Sequence, residues 1–334
     1  NLVITASSSR LLGAEVPPDV GRVYLYKPDG TLLSTLSGSA AGDQVGSGGV
    51  TRLSNGNYVV RSSDWNNGSA TKAGAVTWGS DSSGVSGVVS ASNSLVGSTT
   101  NDQVGSFGVT ALSNGNYVVR SGYWNNGSAT KAGAVTWGSG SSGVSGAVSD
   151  SNSLVGSTTN DQVGIGGVTA LSNGNYVVSS FNWDNGSATN AGAVTWGSGS
   201  SGVSGVVSAS NSLVGSTAND NVGNLGVTRL SNGNYVVRSG YWNNGSATKA
   251  GAVTWGSGSS GVSGAVSDSN SLVGSTTNDQ VGIGGVTALS NGNYVVSSFN
   301  WDNGSATNAG AVTWGSGSSG VSGAVSASNS LVGS

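Results

Sequence analysis

A unit of 59 residues recurs five times in this chain with few changes. The tryptophan of Gly-Ala-Val-Thr-Trp-Gly-Ser and the tyrosine of Asn-Gly-Asn-Tyr-Val-Val both return at this interval. A fixed period of this length is typical of a repeat architecture, in which each unit buries its apolar surface against its neighbours. The tryptophans are Trp78, Trp137, Trp196, Trp255 and Trp314, and the tyrosines are Tyr58, Tyr117, Tyr176, Tyr235 and Tyr294.

The sequence predicts a single repeat domain over residues 1–334. A first segment, residues 1–41, is a diverged partial unit: Asn1-Leu2-Val3-Ile4 matches the later Asn-Tyr-Val-Val, but no counterpart of the first strand precedes it. Five copies follow, and they are numbered here in chain order. Copies 1 to 5 cover residues 42–100, 101–159, 160–218, 219–277 and 278–334.

The composition argues against an enzyme. The chain has no histidine, cysteine or methionine, and only 7% of its residues are charged. The commonest general base, the thiol nucleophile and the soft metal ligands are therefore all missing. Paired carboxylates of the kind that glycosidases use are not evident, because the acids are sparse and mostly recur once per unit in a turn. We predict no catalytic residue, no metal site and no cofactor.

Charge and hydropathy exclude two classes of partner. The net charge is −3 and the 11 basic residues are scattered singly, so no patch follows a phosphate backbone and we predict no nucleic-acid binding. The apolar runs are only a few residues long, which predicts no membrane insertion. The chain begins with Asn1 and shows no signal peptide pattern, so we expect it to be an excised piece of a larger product.

Copy 2 illustrates the strands that the pattern predicts. Gly108–Leu112 and Tyr117–Ser121 are rich in β-formers and flank Ser-Asn-Gly-Asn, and Asn-Gly between two such runs is a strong signal for a hairpin. A polar stretch leads to a third strand at Gly133–Trp137. A fourth strand is expected within residues 146–156, where the signal is weakest.

Four short antiparallel strands per unit, without any helical period, predict an all-β fold. We expect a β-propeller of about six four-stranded blades, because consecutive apolar residues such as Tyr117-Val118-Val119 suit a sheet covered on both faces. The alternative is a β-solenoid, which also tolerates repeats rich in Gly, Ser and Asn. Solenoid units usually run to roughly 20 to 30 residues, and no half-period of that size is visible here.

The unit resembles the FG-GAP repeat of the integrin α-subunit propeller. The counterparts in copy 2 are Val104–Val109, Asn116–Val119 and Gly133–Trp137. The copies are also similar to a near-identical repeat of large bacterial surface proteins, some with filamentous-haemagglutinin-type ends, over residues 42–334. These resemblances imply an extracellular or cell-surface, bacterial location. FG-GAP blades often hold calcium between their first two strands, but that loop is here Ser-Asn-Gly-Asn without an acid, so we predict no calcium there.

Two sets of residues are candidates for ligand binding. Each copy has a Trp followed by Asn or Asp in the loop after the second strand, and an Asp in the turn that follows the fourth strand. In an integrin-like blade both loops lie on one face, and Trp beside amides and carboxylates is suited to sugars. The first set is Trp65, Asn66, Trp124, Asn125, Trp183, Asp184, Trp242, Asn243, Trp301 and Asp302; the second is Asp43, Asp102, Asp161, Asp220 and Asp279.

Structural roles compete with binding for both sets. Trp can pack between units, and Asp and Asn commonly shape turns. For the strand tryptophans, Trp78 and its equivalents, core packing is the favoured interpretation. Identity among copies does not distinguish these alternatives, because copies 3 and 5 are so similar that they reflect recent duplication.

The sequence leaves two functions open. The first is a non-enzymatic surface protein for multivalent adhesion or recognition of glycans or another polymer through its loops, with avidity from repeated weak sites. The second is a structural subunit of a surface fibre or sheath. Arg120 and Lys131 of copy 2 have basic equivalents in copy 4, but Ser and Asn replace them in copies 3 and 5. The resulting charge alternation would suit self-association into fibres.

Overall fold

The computed structural model describes residues 1–6 and 19–334, and in this part of the chain all regular structure is β-strand. Two compact units are present. Unit 1 contains residues 1–162 and 199–206, and unit 2 contains residues 163–198 and 207–334.

Every copy contributes four antiparallel strands and one further strand of two residues. The first segment contains β1 (Leu2–Ala6), β2 (Arg22–Tyr26) and β3 (Leu32–Ser37). Copy 1 contains β4 (Gly49–Arg52), β5 (Tyr58–Ser62), β6 (Ala75–Gly79), β7 (Gly87–Val88) and β8 (Ser94–Val96). Copy 2 contains β9 (Gly108–Ala111), β10 (Tyr117–Ser121), β11 (Ala134–Gly138), β12 (Gly146–Ala147) and β13 (Ser153–Val155). Copy 3 contains β14 (Gly167–Ala170), β15 (Tyr176–Ser180), β16 (Ala193–Gly197), β17 (Gly205–Val206) and β18 (Ser212–Val214). Copy 4 contains β19 (Val227–Arg229), β20 (Tyr235–Ser239), β21 (Ala252–Gly256), β22 (Gly264–Ala265) and β23 (Ser271–Val273). Copy 5 contains β24 (Gly285–Ala288), β25 (Tyr294–Ser298), β26 (Ala311–Gly315), β27 (Gly323–Ala324) and β28 (Ser330–Val332).

The first two strands of each copy form a tight hairpin, as Asn-Gly predicts. In copy 2, β9 and β10 pair in antiparallel register with Tyr117 opposite Ala111. Gly115 has φ +90°, a conformation that L side chains rarely adopt, and the Asn114 side-chain oxygen accepts the N–H of Asn116 across the turn. This local chemistry sets the register of the whole copy, because β11 and β13 then add in order to the same sheet.

The two-residue strand of each copy lies in the sheet of the preceding copy. β12 pairs in parallel with β8, with Gly146 opposite Leu95, and the Val148 N–H continues the ladder to the Val96 carbonyl at 3.0 Å. The sheets that begin with β4, β9, β14 and β19 are therefore five-stranded. The sheet of the first segment ends with β7 from copy 1, and the sheet of copy 5 has only its own four long strands.

The apolar core lies between successive sheets. Leu53, Val59 and Val76 of copy 1 pack with Tyr117 and Trp124 of copy 2 in one buried cluster. Copies 4 and 5 form an equivalent cluster in unit 2. The second strand of each of copies 1 to 4, such as β10, buries consecutive side chains on both faces, and this explains the Tyr-Val-Val runs.

The structure agrees with the predicted all-β class and with four antiparallel strands in copy 2. The third strand is one residue later than expected, at Ala134–Gly138, and the fourth is short, at Ser153–Val155. The range predicted for the fourth strand, residues 146–156, contains two strands, and the pairing of Gly146–Ala147 with the preceding copy was not expected. The observed pairing differs from a β-solenoid, because the long strands pair antiparallel within each copy.

Candidate binding surface

In copies 2, 4 and 5, the loop after the second strand packs against the turn that follows the fourth strand of the preceding copy. These two segments, together with the residues between them, are called the loop surface. In copy 2 they are residues 97–103 and 122–131, and backbone bonds from Asn101 to Thr71 and from Gln103 to Lys72 attach the turn to copy 1.

The candidate aspartates are structural anchors of this surface. Asp102 is fully buried, and its Oδ2 accepts the backbone N–H groups of Ser98 and Thr99 at 2.8 Å each. Its Oδ1 accepts the Thr99 hydroxyl at 2.6 Å and the Asn125 N–H at 3.1 Å. Asp43, Asp220 and Asp279 are buried in equivalent turns, as is Asp161 with its own turn residues. These fully buried carboxylates hold the turn, in agreement with the structural role that competes with ligand binding.

The Asx residue after each loop tryptophan also has an internal role. The Asn125 Nδ2 donates to Asp102 Oδ1 at 2.9 Å, and its Oδ1 accepts the Lys131 N–H at 3.0 Å. Asn66 and Asn243 make the same pair of contacts in copies 1 and 4. In copy 5, Asp302 accepts the Asn308 N–H at 2.7 Å but has no amide to donate to Asp279.

The loop tryptophans lie in the core. Trp65, Trp124, Trp183, Trp242 and Trp301 are each about nineteen-twentieths buried, and Trp124 belongs to the cluster between copies 1 and 2. Their indole Nε1 atoms have no hydrogen-bond partner within the described part of the chain. A buried indole cannot stack on a sugar, so in this structure these side chains contribute packing, and any binding on the loop surface must use their neighbours.

Four of the five strand tryptophans, those of copies 1 to 4, join one copy to the next. Trp78 Nε1 donates to the Gly140 carbonyl of copy 2 at 2.9 Å, and the side-chain amides of Asn55 and Asn57 donate to the same oxygen at 2.8 Å each. Gly143 lies directly against this ring, where an added Cβ would be 2.7 Å from the Trp78 Cβ. The packing role that the sequence favoured for this set agrees with these contacts.

An open depression lies beside the buried aspartate of copy 2. Its volume is about 580 Å³, and its lining includes Tyr123, Asn125 and Lys131. The Tyr123 ring packs edge-on against Phe107, with centroids 5.0 Å apart, and the Lys131 Nζ lies 5.9 Å from the Tyr123 centroid. An aromatic ring, an ammonium group and amides therefore converge on an accessible concave surface.

A second depression of about 580 Å³ lies on copy 1. Its lining includes Asp64, Asn66, Lys72 and Asn101. Asn101 also lines the depression of copy 2, so the two concave regions are adjacent. Copy 1 has no aromatic ring at the Tyr123 position, where Asp64 is found instead, 3.9 Å from the Lys72 Nζ.

The tyrosine and lysine pair recurs in unit 2. In copy 4, Tyr241 is 41% exposed and the Lys249 Nζ lies 5.4 Å from its ring centroid. Copies 3 and 5 have Asn at both positions. Sequence reasoning named the tryptophans and missed these tyrosines, although the joint exchange of Tyr and Lys between copies was a usable signal.

Two further properties limit the chemistry of the described residues. Nowhere in residues 1–6 and 19–334 do three or more acidic side chains group as a metal site would require. The same residues contain no helix that could cross a bilayer.

The fold and this surface define an all-β tandem-repeat protein. The chain belongs to the family of the repeat of unknown function DUF5650, whose model matches residues 52–106, 111–165, 170–224, 229–283 and 288–334. The starts of the matched segments are 59 residues apart, in agreement with the period of the sequence. No curated protein shows a significant match to the chain.

Proposed function

We propose that this protein is a non-enzymatic extracellular or cell-surface repeat protein that binds glycans, or another polymer rich in hydroxyl groups, at its loop surface. The observation that carries this proposal is the pair of adjacent depressions on copies 1 and 2, which share Asn101. A polymer can occupy neighbouring concave sites at once, whereas a small ligand cannot.

The chemistry of the copy 2 depression suits a neutral or weakly acidic sugar. A tyrosine ring offers an apolar face for C–H groups, and Lys131, Asn125 and Thr130 offer polar groups for hydroxyls or a carboxylate. Each depression is open and shallow, so single sites are expected to be weak, with Kd on the order of 1 mM. Two linked sites of this kind gain about 10²-fold or more in avidity.

The test replaces two residues of copy 2 with those found at the same positions in copies 3 and 5. Tyr123→Asn together with Lys131→Asn gives copy 2 the residues that copies 3 and 5 already have, so the fold should be retained. On a glycan array, and by titration with the oligosaccharides that bind, we expect affinity to fall by about tenfold for this variant. Adding Tyr241→Asn and Lys249→Asn should reduce binding of a long polysaccharide further.

The control is a half-buried strand position outside the depression. Trp137→Phe leaves the depression intact and should not change affinity. The proposal fails if no glycan on a broad panel binds the native chain, or if the double variant binds as tightly as the native protein.

We also propose that the sheets stand side by side as blades of a propeller. This arrangement is supported within unit 1 by the contact between the first strands, β4 and β9, and within unit 2 by that between β19 and β24. Small-angle scattering should then give a disc-like envelope for the whole chain. A rod-like envelope would contradict the proposal.

A structural role in a fibre or sheath is the second candidate. It is supported by the contacts between copies 1 and 2. The Gly140 carbonyl of copy 2 accepts hydrogen bonds from one tryptophan and two asparagine side chains of copy 1. In addition, the two-residue strand of copy 2 pairs with the sheet of copy 1. Such contacts make a stiff array. Electron microscopy of concentrated protein should show ordered end-to-end filaments if this role is correct, and isolated particles if it is not.

A further inference from the structure

We infer that the exposed sheet face of copy 5 is a docking surface for one further repeat of this family. This terminal face consists of Val312, Trp314 and Leu331, which are 43%, 56% and 79% exposed. The inference does not depend on glycan binding, because it rests only on contacts between copies.

Copy 4 shows what normally covers this face. Its equivalent residues Val253 and Leu272 are fully buried and pack with Tyr294 and Trp301 of copy 5 in one cluster, against which the partly buried Trp255 also packs. The same three positions on copy 5 are therefore built as core residues. An exposed apolar surface of this kind marks an interaction site.

The edge of the last sheet is open as well. In copy 4, β23 pairs in parallel with β27 of copy 5, with Leu272 opposite Gly323, and the Val325 N–H bonds the Val273 carbonyl at 3.0 Å. In copy 5 the strand β28 occupies the sheet edge, and among the described residues it pairs only with β26. Its outer backbone groups form a template for one more short strand.

A third group of hydrogen bonds, to backbone carbonyls and from the strand tryptophan, joins copy 4 to copy 5 but has no counterpart among the described residues on the far side of copy 5. The N–H groups of Gln280 and Val281 donate to the Lys249 and Ala250 carbonyls at 3.1 and 3.0 Å, and Trp255 Nε1 donates to the Gly317 carbonyl at 3.0 Å. For Trp314 and the Ala309 carbonyl, the described part of the chain supplies no such partners. A cavity of about 470 Å³ lies here, lined in part by Ala309, Val312 and Leu331.

All three features require the same occupant. A repeat of this family has a two-residue strand that can pair with the β28 edge. It also has two backbone N–H groups, in its Gln-Val pair, that can donate to carbonyls such as that of Ala309. Its glycine loop has a carbonyl that can accept the Trp314 indole N–H. A second copy of this chain is a poorer match, because β7, β12, β17, β22 and β27 are all paired with preceding copies. Its first segment joins Tyr26 to Leu32 by a short turn and has no counterpart of the two-residue strand among its described residues.

The experiment extends the chain and measures protection of the terminal face. Because the chain has no cysteine, Leu331→Cys introduces a unique thiol. Its rate of reaction with a maleimide is compared in the 334-residue chain and in a chain extended by Thr-Thr and a duplicate of residues 278–334. We expect the extension to slow the reaction by at least about 100-fold, as for other buried groups that react only after local opening.

Leu272→Cys is the matched control, since this position is already buried in copy 4 and should react slowly in both chains. A second pair of variants tests the docking contacts in the appended repeat. Gly320 has φ +78° and would place a Cβ 2.6 Å from the Trp255 Cβ, whereas Gly304 has φ +62° and open space around it. Alanine at the appended counterpart of Gly320 should restore reactivity at position 331, and alanine at the counterpart of Gly304 should not.

Two results would overturn the inference. The first is equal reactivity of Leu331→Cys in the original and extended chains while Leu272→Cys stays protected. The second is protection of Leu331→Cys in the original chain that increases with protein concentration, since the occupant would then be a second copy.

Discussion

At the scale of single residues, short polar side chains organise the loop surface through bonds to the backbone. Asp102, for example, accepts hydrogen bonds from two backbone N–H groups of its own turn and from the loop of copy 2. Buried polar groups of this kind must be satisfied, because an unpaired one costs about 1–3 kcal/mol. The copies differ in how well they satisfy this requirement.

Asp302→Asn should stabilise copy 5. In the native chain the backbone N–H of Asp302 donates to Oδ1 of buried Asp279 at 3.1 Å, but the Asp302 side chain has no amide to donate. Asn at this position can donate its amide to Asp279, as Asn125 does to Asp102 at 2.9 Å. We expect the free energy of unfolding, from urea denaturation, to rise by about 1 kcal/mol.

The reverse exchange in copy 2 is the control. Asn125→Asp removes the donor to Asp102 and places two carboxylates together, so it should destabilise the protein by about 1–2 kcal/mol. If both variants shift stability in the same direction, the amide bond to the aspartate is not the cause.

At the scale of elements, the hairpin turns of copies 1 to 4 also connect each copy to the next. The Asn234 Oδ1 accepts the Gly258 N–H within copy 4 at 2.8 Å, and its Nδ2 donates to the Gly317 carbonyl of copy 5 at 2.7 Å. One side chain thus specifies both a loop and a junction. The Asn-Gly-Asn signal predicts the turn, whereas the junction depends on a residue 83 positions away.

Asn234→Asp should weaken the junction between copies 4 and 5. The substitution is isosteric, but it removes the donor and directs a carboxylate oxygen at the Gly317 carbonyl. We expect a loss of about 2 kcal/mol, with faster amide hydrogen exchange in β25 and β26.

Asn293→Asp is the matched control in copy 5. The Asn293 Oδ1 accepts the Gly317 N–H at 2.9 Å, which Asp preserves, and the described residues place no carbonyl of a following copy at its amide. Its effect should be within about 0.5 kcal/mol of zero. Equal losses for the two variants would assign the effect to the turn rather than to the junction.

At the scale of the whole molecule, the repeated buried tyrosines govern the response to pH. Burial raises the pKa of Tyr58, Tyr117 and Tyr235, and it raises the pKa of Tyr294 to about 12. An unfolded tyrosine has a pKa of about 10. The folded state therefore holds these protons more tightly than the unfolded state does.

The stability contributed by these protonated tyrosines is complete below pH 10 and is lost as the pH rises through the folded pKa values. Each tyrosine removes up to about 1.4 kcal/mol per pH unit above pH 10. We expect cooperative unfolding between about pH 10 and 12, with phenolate absorbance and loss of circular dichroism changing together. Ionisation near pH 10 in a chain that stays folded would contradict this expectation. With no histidine or cysteine, stability should vary little between about pH 6 and 9.

The sequence by itself determined the repeat, the strands and the turns of this protein. Period, Asn-Gly hairpins and runs such as Tyr-Val-Val act over a few residues, so their signals are local and readable. Only the tertiary structure decided which side chains are accessible, since Trp124 and Asp102 are buried and Tyr241 is exposed. It also decided that Gly146-Ala147 pairs with the sheet of the preceding copy. These outcomes depend on which copy packs over which, and residues about 60 to 85 positions apart leave no local pattern that specifies them.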